Sequence, residues 1–175
     1  WQGSDAGWSG GNSASADCPV SLSLSVTNQS APGADLRVGD LLKIDIVARA
    51  NASTGTFGYA VYVDFDTADY QLVAANGRTP IADGAASDVV TIPATINGTA
   101  TTTKANRYKQ VASGSYTLGE VDLDVGVTLA DGMDPQAAQP ITVGSPSDTV
   151  LGTFRLRVLR NEATSASSPA SPTFR

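Results

Sequence analysis

The 175-residue sequence predicts an all-β protein, a single jelly-roll β-sandwich of about nine short antiparallel strands. Three observations point there. Apolar residues recur with period two in one segment after another, and no stretch carries a helical period. Between those segments lie turn clusters, in a chain with 17 Gly, 9 Pro and abundant Ser and Thr. Apolar residues make up 41% of the chain and charged residues only 16%, enough for one core and unlike a charged disordered polymer.

The strands can be taken in order. Val20, Leu22, Leu24 and Val26 alternate with Ser21, Ser23 and Ser25, which describes a half-buried strand ended by Ala31-Pro32-Gly33. Leu42, Ile44, Ile46 and Ala48 alternate with Lys43, Asp45, Val47 and Arg49, and Asn51 to Gly55 reads as a turn. Tyr59, Val61, Val63 and Phe65 form the inward row of a third strand, so Gly58, Ala60, Tyr62 and Asp64 face outward. A turn at Asp66-Thr67-Ala68 leads to a strand near Tyr70–Ala74. Val89–Ile96 is strand-like, with Pro93 confining it to an edge or a bulge. Asn97-Gly98 signals a hairpin into the β-branched run Thr99–Thr103. Val121, Leu123, Val125 and Val127 alternate with Asp122, Asp124, Gly126 and Thr128; Phe154, Leu156 and Val158 alternate with Arg155 and Arg157. There is no internal repeat, so residues 18–160 are expected to form one sandwich. Residues 1–17 read as a flexible or partner-docking tail, with Trp1 and Trp8 as anchors. Residues 161–175 read as a Ser/Ala/Pro linker or tail ending near Phe174.

Composition excludes several kinds of chemistry. With no His and a single Cys, the chain cannot assemble a Ser-His-Asp or Cys-His catalytic group, nor a His/Cys zinc site. Cys18 has no internal disulfide partner, so a disulfide there would join two chains. Seventeen acids against 11 bases give a net charge of −6, which argues against nucleic acid as a partner. No apolar run approaches the length of a membrane span. The sequence starts at Trp1, as a processed form or an excised fragment would. Scarce Lys and a Ser/Thr/Gly/Ala surface suggest an extracellular or cell-surface setting. Asn28, Asn51 and Asn97 head glycosylation sequons.

Two segments carry a family likeness. Leu36–Ala48 (LRVGDLLKIDIVA) followed by Gly55–Thr67 (GTFGYAVYVDFDT) resembles the cohesin modules of cellulosome scaffolds, which open on a Gly-Asp turn feeding an alternating strand. Phe65-Asp66-Thr67 stands where that family has an aromatic-Asp-Pro turn, and Gly152–Leu159 is similar to its closing strand. The resemblance spans roughly residues 20–160 and extends to related carbohydrate-binding sandwiches. It implies a nine-stranded jelly roll whose flat sheet face docks a helical dockerin partner. The corresponding face here is Gly58, Ala60, Tyr62 and Asp64. Where the family carries polar groups early in that strand, this sequence has Gly58 and Ala60.

Other residue clusters have chemistry of their own. Asp64, Asp66 and Asp69 cluster at a strand end, where closely spaced carboxylates offer oxygens to calcium; a turn cap with solvated neighbours is the simpler account, and no other cofactor is expected. Glu120, Asp122 and Asp124 form a second acidic row. Glycoside hydrolysis needs two carboxylates at a set separation within a cleft, which short loops do not build, so no enzyme is expected. A sugar-binding strip would require Tyr62, Tyr108 and Tyr116 in one plane. Lys104, Arg107 and Lys109 form one basic cluster and Arg155, Arg157 and Arg160 another, read as edge protection or as contacts to a neighbouring copy's acids. The expected function is a protein–protein interaction module, whose partner is dockerin-like or another copy of the chain. The alternatives are a self-assembling surface subunit joined by tail strand addition, and a carbohydrate-binding module.

Overall fold

The computed structural model describes residues 20–50, 54–128, 139–144 and 147–160. Trp1, Trp8, Cys18, Asn51, Phe174 and both proposed tails lie outside the described residues. Among the described residues ten strands follow one another: β1 Val20–Asn28, β2 Leu41–Ala50, β3 Thr54–Thr56, β4 Gly58–Asp66, β5 Tyr70–Val73, β6 Thr95–Ile96, β7 Thr99–Ser113, β8 Tyr116–Val127, β9 Ile141–Val143 and β10 Thr149–Val158. All pairings are antiparallel. One sheet has the order β1-β2-β10-β5, a second β4-β8-β7-β6, and β3 pairs with β9 in a short ribbon.

The period-two rows become the inner faces of the two sheets. Leu42, Ile44 and Ile46 of β2 and Phe154 and Leu156 of β10 are fully buried from one side. Tyr59, Val61, Val63 and Phe65 of β4 and Val121, Leu123 and Val125 of β8 meet them from the other, in one continuous cluster. The layers touch closely. The Tyr59 hydroxyl donates to the Leu151 carbonyl across the core at 2.8 Å, and burial pushes its pKa well up. At Gly152 a Cβ would sit 2.8 Å from Val90 Cγ1 and 3.0 Å from Leu123 Cδ2, so the absence of a side chain sets the spacing there.

Several elements differ from what the alternation predicts. Val89–Ile96 is not a strand along its length. Val89 and Val90 enter the core from a loop, Thr91 makes an isolated bridge to Thr153, and only Thr95–Ile96 pairs with β7. The run Thr99–Thr103 is the start of a strand that continues to Ser113. Within the stretch read as a turn, Thr54–Thr56 forms β3. β10 lies between β2 and β5, so its arginines protect no edge.

One flank of the sandwich is closed by the segment between β5 and β6. Ile81 N–H donates to Leu72 O at the outer side of β5, and Val73 bridges Pro80. Farther on, Gly84 N–H donates to Tyr108 O and Tyr108 N–H to Ala85 O along β7. Beside them the Asn106 side chain takes the place of a peptide unit. Its Oδ1 accepts from Val90 N–H at 2.9 Å and its Nδ2 donates to Val90 O at 2.8 Å.

Candidate functional site: the outer face of β4, β8 and β7

Burying Tyr59, Val61, Val63 and Phe65 forces the intervening residues of β4 outward. Gly58, Ala60, Tyr62 and Asp64 therefore share one face, as the alternation predicts, and Tyr62 is 57% exposed at its centre. β8 sets Glu120, Asp122 and Asp124 beside them by the same logic, each half-buried. β7 adds Arg107 and Lys109, both exposed. Register then defines three rungs across the sheet: Ala60–Asp124–Ala105, Tyr62–Asp122–Arg107 and Asp64–Glu120–Lys109.

Charge along these rungs is not balanced pair by pair. Thr67 N–H donates to Thr117 O and Val127 N–H to Phe57 O, which makes the odd residues of β4 the hydrogen-bonded partners of β8. Asp64 and Glu120 thus fall at a non-hydrogen-bonded position, where facing side chains come closest. Burial, and after it the Glu120 charge, raises the Asp64 carboxyl above its ordinary value. Lys109 and Arg107 stand across the acids, yet the ion pairs of the described residues lie elsewhere, at Lys43–Asp45, Arg49–Asp148 and Arg160–Asp69. The face offers acidic rows with an aromatic at their centre and cations along one side, all open to a partner.

Glycines let the strands meet at one end of this face. A Cβ on Gly58 would lie 2.7 Å from the Val125 carbonyl oxygen, so Gly58 is set by backbone approach. Thr56 Oγ1 caps it, donating to Gly58 O at 2.6 Å and accepting from Gly58 N–H at 3.3 Å. Opposite, the Lys104 stem lies over Gly126. Phe57, 57% exposed, adjoins this end and was missed in the sequence; an aromatic just before a Gly-led strand was the available signal. The other end rests on Gly119, directly under the Phe65 ring, and that ring stacks on Tyr108 with centroids 6.0 Å apart and planes 6° from parallel.

Several expected sites do not assemble. Asp66 Oδ1 accepts from Ala68 N–H within its own turn, Asp69 is held by Arg160, and Asp64 faces Glu120. The three carboxylates are thus committed to separate tasks, and among the described residues no group of three potential ligands converges for a metal ion. Tyr108 is 3% exposed and belongs to the core, because the strict alternation of β7 around Arg107 and Lys109 turns it inward. Tyr62 and Tyr116 are left, separated by about six residues along β8, or roughly 20 Å. That is no continuous strip for a sugar.

The second basic cluster is spent internally. Arg155 donates to Gln29 Oε1, Arg157 to Gly77 O and Arg160 to Asp69. Asn28 is buried, its Nδ2 donating to Asp40 Oδ2 and its Oδ1 accepting from Ser30 and Ala31 N–H, so its sequon is not available in the folded chain. Asn97 is exposed but donates through Nδ2 to Thr142 O. A hollow of ≈ 470 Å³ lies beside Asn97, Thr99, Pro140 and Thr142, away from the acidic rows and lined by no carboxylate.

Fold and face together define an all-β sandwich with a charge-patterned outer sheet surface. Solved structures of similar fold are type II cohesins. One is a type II cohesin domain from the cellulosome of Acetivibrio cellulolyticus, 16% identical, with a TM-score of 0.44 over 87% of this chain and 81% of that one. Another is the type II cohesin-X-dockerin complex of the same organism, an N-terminal interface mutant, 13% identical, with a TM-score of 0.48 over 81% of this chain and 73% of that one. No protein-family model and no curated protein sequence matches the chain.

Proposed function

We propose that this chain is an extracellular, non-enzymatic protein-docking module that engages its partner through the outer face of β4, β8 and β7. One observation carries the reading. The β4–β8 register runs unbroken from Gly58↔Gly126 to Asp66↔Leu118, which makes a continuous surface with Tyr62 exposed among half-buried acids and flanked by Arg107 and Lys109. Such a surface suits a protein, since an aromatic anchor within a patterned polar rim concentrates binding energy and fixes orientation. It offers little to a small molecule, which needs concavity. The resemblance of Leu36–Ala48 and Gly55–Thr67 to cohesin modules favours a helical, dockerin-type partner, and the acidic rows favour one with a basic helix face. Among the described residues no helix is long and apolar enough to cross a membrane.

Surface plasmon resonance of the full chain against a panel of dockerin modules tests this. Binding is expected for at least one module, weakened about 10- to 100-fold by Tyr62→Ala and by added salt. Absence of binding across the panel, or a bound module indifferent to Tyr62→Ala, overturns the reading.

A further inference from the structure

We infer that the outer face of β2 and β10 receives the outer face of β4, β8 and β7 of a second copy, so that sandwiches stack in an open row. The inference assigns that face a different partner from the dockerin reading and does not rest on it. Its basis is charge. Because Leu42, Ile44 and Ile46 of β2 and Phe154 and Leu156 of β10 are buried, the residues between them face outward. There Lys43, Arg49, Arg155 and Arg157 stand against Asp45 and Asp148, four cations to two acids. On the rungs of the opposite face Asp64, Glu120, Asp122 and Asp124 stand against Arg107 and Lys109, four acids to two cations, with Lys104 beyond them over Gly126. The two outer faces therefore carry surpluses of opposite sign.

Each face also sets two like charges where side chains come closest. Val158 N–H donates to Asp40 O, so the even residues of β2 are the hydrogen-bonded partners of β10. Lys43 and Arg155 thus meet at a non-hydrogen-bonded position, with Cα atoms about 4.5 Å apart. Lys43 turns to Asp45 at 2.7 Å, while the ion pairs of the described residues include neither Arg155 nor Arg157. Arg155 gives one N–H to Gln29 Oε1 and Arg157 one to Gly77 O, and a guanidinium has five. Asp64 facing Glu120 is the same arrangement in the opposite sign, and neither acid belongs to an ion pair of the described residues.

The occupant follows from these two halves. Adjacent guanidinium groups with unused N–H are matched by carboxylates, and this chain presents a row of them on its far side. Arg155 and Arg157 are spaced along β10 as Glu120 and Asp122 are along β8, about 7 Å in each case, so the rows agree in pitch. Stacking would set each like-charge pair against its opposite and relieve both repulsions. Since the two surfaces lie on opposite sides of one sandwich, every contact leaves one of each kind open at the ends, and the row does not close.

Sedimentation velocity of the full chain over a concentration series at low salt tests this. The mean mass is expected to climb past that of a dimer, and to return to that of one chain in about 1 M salt, where the screening length is only about 3 Å. Glu120→Lys/Asp124→Lys should sediment as a single chain, although its smaller net charge weakens the general repulsion between copies. Arg155→Glu/Arg157→Glu should do the same. It leaves the outer face of β4, β8 and β7 unaltered, so dockerin binding can be scored on it separately. Mixed at low salt, the two variants, each with a melt like the parent's, should associate again. A parent that stays monomeric at low salt into the millimolar range overturns the inference. So does a lysine variant that assembles as the parent does, or a mixture of the two variants that stays apart.

Discussion

Replacing Gly119 by Ala should destabilise the sandwich from beneath the outer face of β4 and β8. Gly119 pairs directly with Phe65, whose ring lies over it. An added Cβ would sit 2.7 Å from Phe65 Cε2 and 2.9 Å from Cε1, with Cζ nearer still. Carbon atoms settle at roughly 3.5–4.0 Å, so the ring would have to retreat by on the order of 1 Å. It has nowhere to go, being buried and stacked on Tyr108. Overpacking of this kind costs about 1–3 kcal/mol, against roughly 0.5–1 kcal/mol that Ala gains over Gly in a strand interior. The net loss of about 1–2 kcal/mol should lower the melting temperature by roughly 2–8 °C. Urea unfolding followed by circular dichroism should show a lower midpoint with an unchanged m-value. Phe65→Leu, which replaces the ring by a shorter branched side chain, should relieve the clash, so the double variant should lose less than the sum of the two single losses by about 0.5 kcal/mol or more. Gly119→Ala melting at or above the parent, or strict additivity, would refute the reasoning.

Three further outcomes are expected. Tyr62→Ala should leave stability within about 0.5 kcal/mol in a thermal melt while weakening partner binding, since its side chain stands in solvent. Asp64 is raised by burial and by Glu120, so the native state holds that proton more readily than the unfolded chain, and its contribution to stability falls as pH rises through the shifted value. Asp64→Asn should therefore remove that fall with rising pH and add about 0.2–1 kcal/mol at neutral pH in urea titrations. Asn28→Ala should cost about 1–3 kcal/mol by leaving Asp40 and the Ser30 and Ala31 amides short of partners, and mass spectrometry of chain expressed in a glycosylating host should find Asn28 unmodified.

How much was legible beforehand depended on whether a strand buried one face evenly. Tyr59, Val61, Val63 and Phe65 could be read directly, because every inward position of β4 is apolar and every neighbour is small or polar. β7 could not. Its only fully buried side chain is Tyr108, Asn106 is spent on replacing a peptide unit, and the register shift between Thr103 and Ala105 breaks any parity carried forward from Thr99. The sequence pattern alone therefore leaves Tyr108 looking like a surface residue. Val89–Ile96 failed for the opposite reason, since Val89 and Val90 are apolar enough for a strand yet reach the core from a loop. Of the candidate face, the β4 row and the acids of β8 are visible one strand at a time. That Asp122 stands between Tyr62 and Arg107 depends on pairings distant in sequence, which no local pattern records.

The position of β10 has a consequence for how the protein is made. Its sheet partners, β2 and β5, end at Ala50 and Val73, while β10 itself begins at Thr149. On the ribosome, Leu42, Ile44 and Ile46 must therefore wait for about a hundred further residues before their sheet can close. Until then the apolar row of β2 has no partner on its β10 side, so closure of this sheet is a late, long-range step.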